Sequence, residues 1–533
     1  MAYASTQTAQ QTTDVVIAGA GPNGLTTAIE LARRDVRVRI FERRNQPSTR
    51  SKALVVHART LELMDILGVA DDMVKLGYTS PGIDFSANVE HPLRATMYGL
   101  DTRFPFILVL PQAKTEAILE RRLNELGVVV ERGHTLQGFA ETSDSILSTV
   151  ENDSGDTFEI ESRYLVGSDG SRSAVRQQLD LPFEGDSYRW TAFLGDVQLA
   201  GHHAEGGTEQ HSNDRGLAFI VPFEDGSHRI VTIDRQYQED SRKQDLSLEA
   251  LQESISAILE KPVELSDPVW LTRWGASLRL ASQYRVGRVF LGGDAVHTHS
   301  PAGGQGLNTA IQDAFNLGWK LASEVKGQAP DALLDTYNAE RHPVGERVLK
   351  TSDFLLRSLL LRQPVLRSLR ELLFRLLIPL PPVQKKLAMN LSGLGIRYAT
   401  GEGKLAGARI PDMQFTSATH KISRLYELLR FPGYTLLLFI SPTQQKSYPA
   451  IVERIKAESD NSLQILVILN NGLPELHDFG VSVLVDYRGD LETRLGATTD
   501  RAILLRPDGY VAVDATEIEE AAIVKHLRSW MRT

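Results

Sequence analysis

VVIAGAGPNGLTTAIELARRDVRVRIFE (Val15–Glu42) is the stretch that decides the fold. Val15 to Ala18 form an apolar run without alternation, the pattern of a strand covered on both faces by helices in a parallel sheet. GAGPNG (Gly19–Gly24) follows at once. Leu25, Ala28, Ile29, Leu31 and Ala32 then recur at helical spacing, and Val36 to Phe41 read as a second strand ending at Glu42. This is a complete βαβ opening of about 30 residues. In such a unit Gly19 permits the tight turn, Gly21 lets the backbone approach a pyrophosphate, and Gly24 lets helix and strand pack closely. Glu42, 18 residues after Gly24, is placed to accept the ribose hydroxyls of an adenosine. A Gly-rich turn can join strand to helix with no ligand, but here strand, helix and terminal carboxylate all stand at the required spacing. The turn alone does not distinguish NAD from FAD.

Two later strings narrow the choice. YLVGSDGSRSAVR (Tyr164–Arg176) reads as strand, turn and helix start, and by itself Asp169-Gly170 is an ordinary turn. GRVFLGGDAVHTHSPAGGQGLNTAIQDAFNLGWKLA (Gly287–Ala322) says more: a strand ends in Gly292-Gly293-Asp294, and a Gly-rich loop then opens a long helix from about Gly306 to Val325. A carboxylate at a strand end can bind ribityl or ribose hydroxyls. Backbone N–H groups at a helix N-terminus can stabilise negative charge on a reduced flavin ring.

Bulk properties exclude other classes. A chain of 533 residues exceeds one ordinary core, so two or three domains are expected. With 42% hydrophobic and 23% charged residues, disorder is not indicated. A net charge of -9 gives no general reason to bind nucleic acid or an anionic membrane, which makes a small molecule the better partner. The absence of cysteine removes disulfides, thiolate metal sites and Cys nucleophiles, and points to the cytoplasm. Met1 to Thr13 is polar, has no signal-peptide pattern and reads as a frayed tail.

The Leu-rich stretch Phe354 to Leu380 is interrupted by Arg357, Arg362, Arg367, Arg370 and Arg375, so it should not span a bilayer. Pro364, Pro379, Pro381 and Pro382 divide the surrounding 353–391 into at least two helices. Its leucines are expected to be buried in an interdomain or dimer contact in preference to lying on a membrane surface.

The three strings together resemble the class A flavoprotein monooxygenases of the para-hydroxybenzoate hydroxylase type, over nearly the whole chain. A tail of candidate strands (Tyr434–Ile440, Leu463–Leu469, Ala502–Arg506, Tyr510–Val513) and helices (445–458, 518–531) makes the chain similar to the branch holding phenol hydroxylase, pentachlorophenol hydroxylase and the aromatic-polyketide hydroxylases. The resemblance implies an α/β fold. A Rossmann-like FAD-binding domain would be assembled from 14–78, 111–181 and 281–350, and an antiparallel-sheet substrate domain from 79–110 and 182–280. A helical linker or interface would cover 351–400, and a C-terminal thioredoxin-like domain 401–533. Where a working thioredoxin carries CxxC this chain has Ser441-Pro442-Thr443-Gln444, so the tail is expected to pack or assemble, not to do dithiol chemistry.

It also implies residue roles. Gly19, Gly21 and Gly24 would hold the FAD pyrophosphate, and Glu42 with Arg43 the adenosine ribose. Arg59 would lie near the flavin and Gln112 on the ribityl chain. Asp169 and Gly170 would serve both FAD and NAD(P)H, and Asp294 the ribityl or pyrophosphate. Pro301, Gly303, Gly304, Gly306, Leu307 and Asn308 would line the isoalloxazine ring, the first three being the nearest approach to catalytic candidates. Lys52-Ala53 stands where many relatives have Arg-Ala, which leaves that NAD(P)H contact open.

The activity so implied is NAD(P)H-consuming hydroxylation of a phenolic or polycyclic phenolic ring with O2, through a flavin C4a-hydroperoxide. The cofactor carries the hard chemistry, which explains why no nucleophile or metal site is needed. Alternatives are Baeyer–Villiger insertion or epoxidation of a polyketide-like ligand, and a non-catalytic flavin-binding assembly protein. Flat substrates suit apolar walls, so Tyr188, Trp190, Phe193, Phe219 and Trp274 are the candidate substrate contacts. His297 and His299 lack a third ligand at metal spacing and read as scaffold, so no metal is expected. Arg341-His342-Pro343 reads as the close of a helix. Homodimerisation follows from the resemblance alone.

Overall fold

The computed structural model describes residues 11–48, 53–85, 93–200, 207–238, 244–361, 363–417, 422–441, 448–457, 462–469, 482–486, 489–495, 500–515 and 520–530. Its organising element is a parallel sheet. The strand Gln11–Ala18 lies between Thr157–Gly167 and Val38–Glu42; outside them lie Val289–Leu291 on one side and Val130–Arg132 on the other. Val15, Val16 and Ile17 are fully buried, as the unalternating run requires. The helices Pro22–Ala32 and Gln305–Val325 pack together, with Gly318 of one so close to Glu30 of the other that a Cβ would sit 2.4 Å from it. The first strand begins at Gln11, so the end of the expected frayed tail is sheet: Gln11, Thr12 and Thr13 pair with Ile160, Glu161 and Ser162.

A second sheet of seven strands carries, in spatial order, Leu265–Trp274, Trp190–Leu199, His228–Gln238, Gly216–Pro222 and Thr208–Ser212, then Gly82–Phe85 and Leu93–Thr96. One face is covered by the helix Leu248–Leu259, which buries Leu251, Ile255 and Ile258 against Phe193, Val197, Ala218 and Ile220. The other face looks toward the Gly-rich loop before Gln305.

The helix Ala332–Leu359 runs 28 residues straight through Arg341-His342-Pro343, correcting the expected break. A proline inside a helix costs a hydrogen bond. Here buried side chains on either side hold the helix: Glu340 and Arg341 are ion-paired, and Gly345 admits the Tyr284 ring. Two shorter helices follow, Pro364–Leu377 and Pro381–Leu391. The leucines of the first do not pack in an interdomain contact within the chain but face outward.

The C-terminal segment forms a third large sheet, centred on Tyr434–Ile440 between Leu463–Leu469 and Arg501–Leu505. Leu437 and Phe439 join the main core, while Leu436, Leu438 and Ile440 join a second cluster with Trp319 and Leu333. A buried charge network crosses the seam. Arg506 donates to both oxygens of Glu340 at 2.6 and 2.9 Å, Lys320 reaches the same carboxylate at 2.8 Å, and the Trp319 indole donates to Asp508 at 3.2 Å. Residues 442–444, in place of a CxxC, and Lys52 lie outside the described residues.

Candidate active site

Parallel register brings the carboxyl ends of four strands to one edge. Ala18 pairs with both Gly167 and Phe41, and Gly167 with Leu291. Gly19, Glu42, Ser168-Asp169 and Gly292-Asp294 therefore emerge side by side, where a doubly wound sheet binds its ligand. Asn23, which sequence reasoning passed over, ties them together. Its amide donates to Ala310 O at 2.7 Å and accepts from the Ser168 hydroxyl at 2.7 Å. Nothing marks this residue in the sequence beyond its place inside GAGPNG.

The glycines of the turn differ physically. A Cβ on Gly24 would stand 1.9 Å from Gly19 O, and one on Gly19, at φ +102°, 2.4 Å from Ser168 O. These two are required by close backbone approach. A Cβ on Gly21 would meet nothing within 4 Å, so that position borders open space. The helix behind it has no side-chain cap and no acidic residue in its first turn, leaving its N–H groups for an anion.

Glu42 is buried. Its carboxylate accepts from Ala20 N at 3.1 Å and from the backbone and side chain of Arg44 at 3.1 and 2.9 Å. Burial pulls its pKa up, but the Arg44 side chain and the two backbone N–H groups outweigh that and hold it below the usual carboxylate range. It keeps lone pairs for further donors. Arg43 beside it is exposed. Asp169 accepts from Ala174 N and Val175 N through Oδ2, while its buried Oδ1 has no partner among the described residues. An unpaired buried carboxylate oxygen is costly unless a ligand hydroxyl or amide completes it. Gly170 follows at φ +83° with open space beside it. Asp294 is exposed at the strand edge. Gln112 opens the helix Gln112–Glu125 and is tied to Ala53 by hydrogen bonds in both directions.

The loop 301–306 is held by residues the sequence did not advertise. His57 Nε2 donates to Gly303 O at 2.8 Å, and His57 N donates to Asn308 Oδ1 at 2.8 Å. The Asn308 amide donates to Val55 O and Gly304 O, and Gln305 bridges to Leu391 O. Burial pushes His57 down to about 4, so it is neutral here. Gly304, in the left-handed region at φ +60°, caps the 21-residue helix Gln305–Val325 without a side-chain cap; Leu307 and Asn308 lie in its first turn, and Gly306 abuts His299. Pro301 and Gly303 complete the loop.

His297 is bonded to Asp313 at 2.7 Å, and Arg341 grips the other oxygen of that carboxylate at 2.7 Å. The histidine is thus part of a buried brace behind the loop.

Arg59 packs against the C-terminal segment. Fully buried in the helix Ala58–Ile66, its guanidinium donates to Glu62, Tyr426 and Asp508 O and lies 4.8 Å from the Tyr510 ring centroid. Its charge is engaged by Glu62 and by the C-terminal segment.

On the substrate sheet, strand alternation sorts the five candidate aromatics. Tyr188, Trp190, Phe219 and Trp274 join Ala192, Leu217 and Ile233 in the apolar cluster that also holds Ala302 of the loop. Tyr188 and Trp190 are stacked at 4.9 Å, and the Tyr188 hydroxyl donates to Asp353 at 2.8 Å. Phe193 is corrected: one residue out of phase with Ala192 and Leu194, it points to the opposite face, under the helix Leu248–Leu259 and against Tyr237. Trp270, unremarked in the sequence, shares the loop-facing side and donates to Asp196, the partner of Arg229.

Beside the Asp169-Gly170 turn lies a groove of about 490 Å³, lined by Arg172, Arg176, Arg279, Ser171, Ser277 and Phe183 among others. Arg176 stacks over Phe183 at 3.9 Å. The arginines give the groove a positive field suited to phosphates.

Comparison with known proteins agrees with this geometry. The profile of the family described as FAD binding domain matches residues 12–352. A 6-methylpretetramide 4-monooxygenase from Streptomyces rimosus is 36% identical over 518 residues, covering 93% of this chain and 90% of the relative. Pentachlorophenol 4-monooxygenase from Sphingobium chlorophenolicum is 30% identical and covers 93% of each chain. Among solved structures, an anhydrotetracycline hydroxylase from Streptomyces rimosus superposes with a TM-score of 0.79 at 31% identity, covering 98% of this chain and 99% of that one.

Proposed function

The chain belongs to the FAD binding domain family and is an FAD-dependent aromatic monooxygenase, and from that premise we propose that it hydroxylates a polycyclic phenol. The observation that carries the choice of substrate is the sheet face of Tyr188, Trp190, Phe219 and Trp274, which meets Ala302 of the Gly-rich loop in one apolar cluster. Four aromatic side chains and several aliphatic ones offer more flat apolar wall than a single small ring fills. The relatives that act on tetracycline precursors are consistent with a fused-ring ligand.

The reaction balances as NAD(P)H, a proton, O2 and the ring C–H giving NAD(P)+, water and the ring C–OH. Bound FAD supplies the two-electron relay from nicotinamide to O2. The chain supplies the rest. In this reading the N–H groups around Gly21 hold the pyrophosphate, Glu42 the adenosine ribose, and Asp169 and Asp294 the hydroxyls nearer the ring. Open space at Gly21, the partnerless Asp169 Oδ1 and two uncapped helix N-termini fit such a ligand. The helix starting at Gln305 would stabilise negative charge on the pyrimidine end of the ring. The His57, Asn308 and His297–Asp313–Arg341 contacts fix the loop in advance, so no reorganisation is left for the moment of reaction. The groove with Arg172 and Arg279 would take the phosphates of NAD(P)H. With no cysteine to oxidise, the chain suits the cytoplasm.

The test is NADH and NADPH oxidation by FAD-loaded protein in air, with a panel of simple and polycyclic phenols, following peroxide and product mass. Oxidation stimulated by a polycyclic phenol, with a product heavier by one oxygen and a new phenolic hydroxyl, is expected. An ester or epoxide product would replace hydroxylation by one of the other oxygen transfers, and stimulation by simple phenols alone would overturn the substrate class.

A further inference from the structure

The helix Pro364–Leu377 is amphipathic the wrong way round. Its inward face is held by polar contacts as well as by Phe374, which packs on the apolar cluster of the sheet: Arg367 is paired with Asp214, and Arg370 donates to the carbonyls of Ser358 and Leu359 at 3.0 and 3.2 Å. Its outward face carries Val365, Leu369, Leu372, Leu373 and Leu376, continued by Leu380, at i, i+4, i+7, i+8, i+11 and i+15, each between 44% and 78% exposed. Isolated exposed leucines need no explanation, but a contiguous stripe of this size on a helix whose Arg367 and Arg370 point inward calls for a covering partner.

Charge selects that partner. From Phe354 to Leu391 the chain has seven basic side chains and one acidic, a net of +6 within a chain whose total is -9. Arg375, Lys385 and Lys386 are exposed beside the leucines. A second copy docking through the same face would set the exposed Arg375, Lys385 and Lys386 against their own counterparts, a juxtaposition that costs association energy. An anionic lipid surface satisfies both features at once, taking leucines into the acyl boundary and basic side chains among the headgroups. At 14 residues the helix is about 21 Å long, and none of the described helices is long and apolar enough to cross a membrane.

We propose that the outward face of Pro364–Leu377 docks this protein, lying in the plane of the interface, on anionic lipid membranes. The inference rests on exposure and charge and is independent of the substrate.

FAD-loaded full-length protein would be sedimented with phosphatidylcholine vesicles and with vesicles of phosphatidylcholine and phosphatidylglycerol, at low and high salt, with its mass in solution measured alongside. Co-sedimentation with the anionic vesicles only, reduced by salt, is expected. Arg375→Glu with Lys385→Glu and Lys386→Glu should weaken it about five-fold or more per side chain, and Leu369→Gln with Leu373→Gln and Leu376→Gln should abolish it. All six are surface positions, and an unchanged melting temperature would certify the fold. Two outcomes overturn the proposal: no vesicle binding by the native protein, or a dimer in solution that the leucine variants dissociate while vesicles bind neither form.

Discussion

Gly21→Ala and Gly24→Ala should part company, one losing the cofactor and the other the fold. At Gly21 the backbone has φ -79°, which alanine adopts freely, and the new methyl would meet nothing within 4 Å. The apoprotein should therefore keep its stability within about 1 kcal/mol, on the stabilising side if anything, because alanine reduces the freedom of the unfolded chain. The same methyl would stand in the space a pyrophosphate must enter to reach the helix N–H groups. Forfeiting one or two charge-assisted hydrogen bonds costs about 2–4 kcal/mol, which is about 30- to 1000-fold in the dissociation constant for FAD.

At Gly24 the methyl would lie 1.9 Å from Gly19 O. The obstruction is backbone, so no rotamer relieves it, and the apoprotein should lose about 3 kcal/mol or more. Urea unfolding of the two apoproteins and fluorescence titration with FAD measure both quantities. If Gly21→Ala destabilised the apoprotein as much as Gly24→Ala, or bound FAD as tightly as the native chain, the cradle assigned to this turn would be wrong.

Trp274→Ala should raise KM for the aromatic substrate and divert more NAD(P)H to peroxide with little loss of stability, whereas Phe193→Ala should cost about 3–5 kcal/mol in unfolding, since it empties core on the far side of the sheet. Glu340→Gln, which leaves Arg506 and Lys320 short of a buried counter-charge, should cost about 3–5 kcal/mol by chemical denaturation. His57 is held down to about 4 against about 6.5 when unfolded, so its contribution is fully present above 6.5 and is lost as pH falls toward 4. His57→Gln, which can still donate to Gly303 O, should shrink the stability difference between pH 7 and pH 4 by about 3 kcal/mol, read from unfolding at each pH. Arg172→Ala should raise KM for NAD(P)H several-fold while FAD affinity stays unchanged, measured by steady-state kinetics and titration.

The sequence made the parallel sheet legible because three of its strands, those ending at Ala18, Gly167 and Leu291, close with an apolar run that meets glycine at the turn. Asp169 and Asp294 could be singled out for the same reason, standing at strand ends where no core needs a carboxylate. The side of the other sheet that each aromatic occupies was not legible. Alternation puts Trp190, Ala192 and Leu194 on one face and Phe193, Val197 and Leu199 on the other, but the sequence does not say which of the two faces meets the loop and which the helix Leu248–Leu259. The contacts of Arg59 and the helix through Pro343 were not legible because their partners, Tyr426 and Asp508 for the one and Lys320 and Arg506 for the neighbouring Glu340 of the other, lie far away in sequence. His57 gave no signal, since a lone histidine before a helix has many uses. The arginines of the Leu-rich stretch argued correctly against a span, but helical spacing alone cannot say which side of an amphipathic helix faces the protein.

The convergence of strand ends from residues 18, 42, 167 and 291 on one edge also fixes an order of events during synthesis. The first βαβ is complete once Glu42 has emerged, yet its neighbour ending at Gly167 comes about 125 residues later, and Leu291 with the loop helix after it about 250 residues later. At about 5–20 residues per second, that is roughly 6–25 s in which the apolar strand Val15–Ala18 has one partner and needs two. The loop that completes the cofactor edge follows later still, so FAD acts as a late clasp on a sheet already complete.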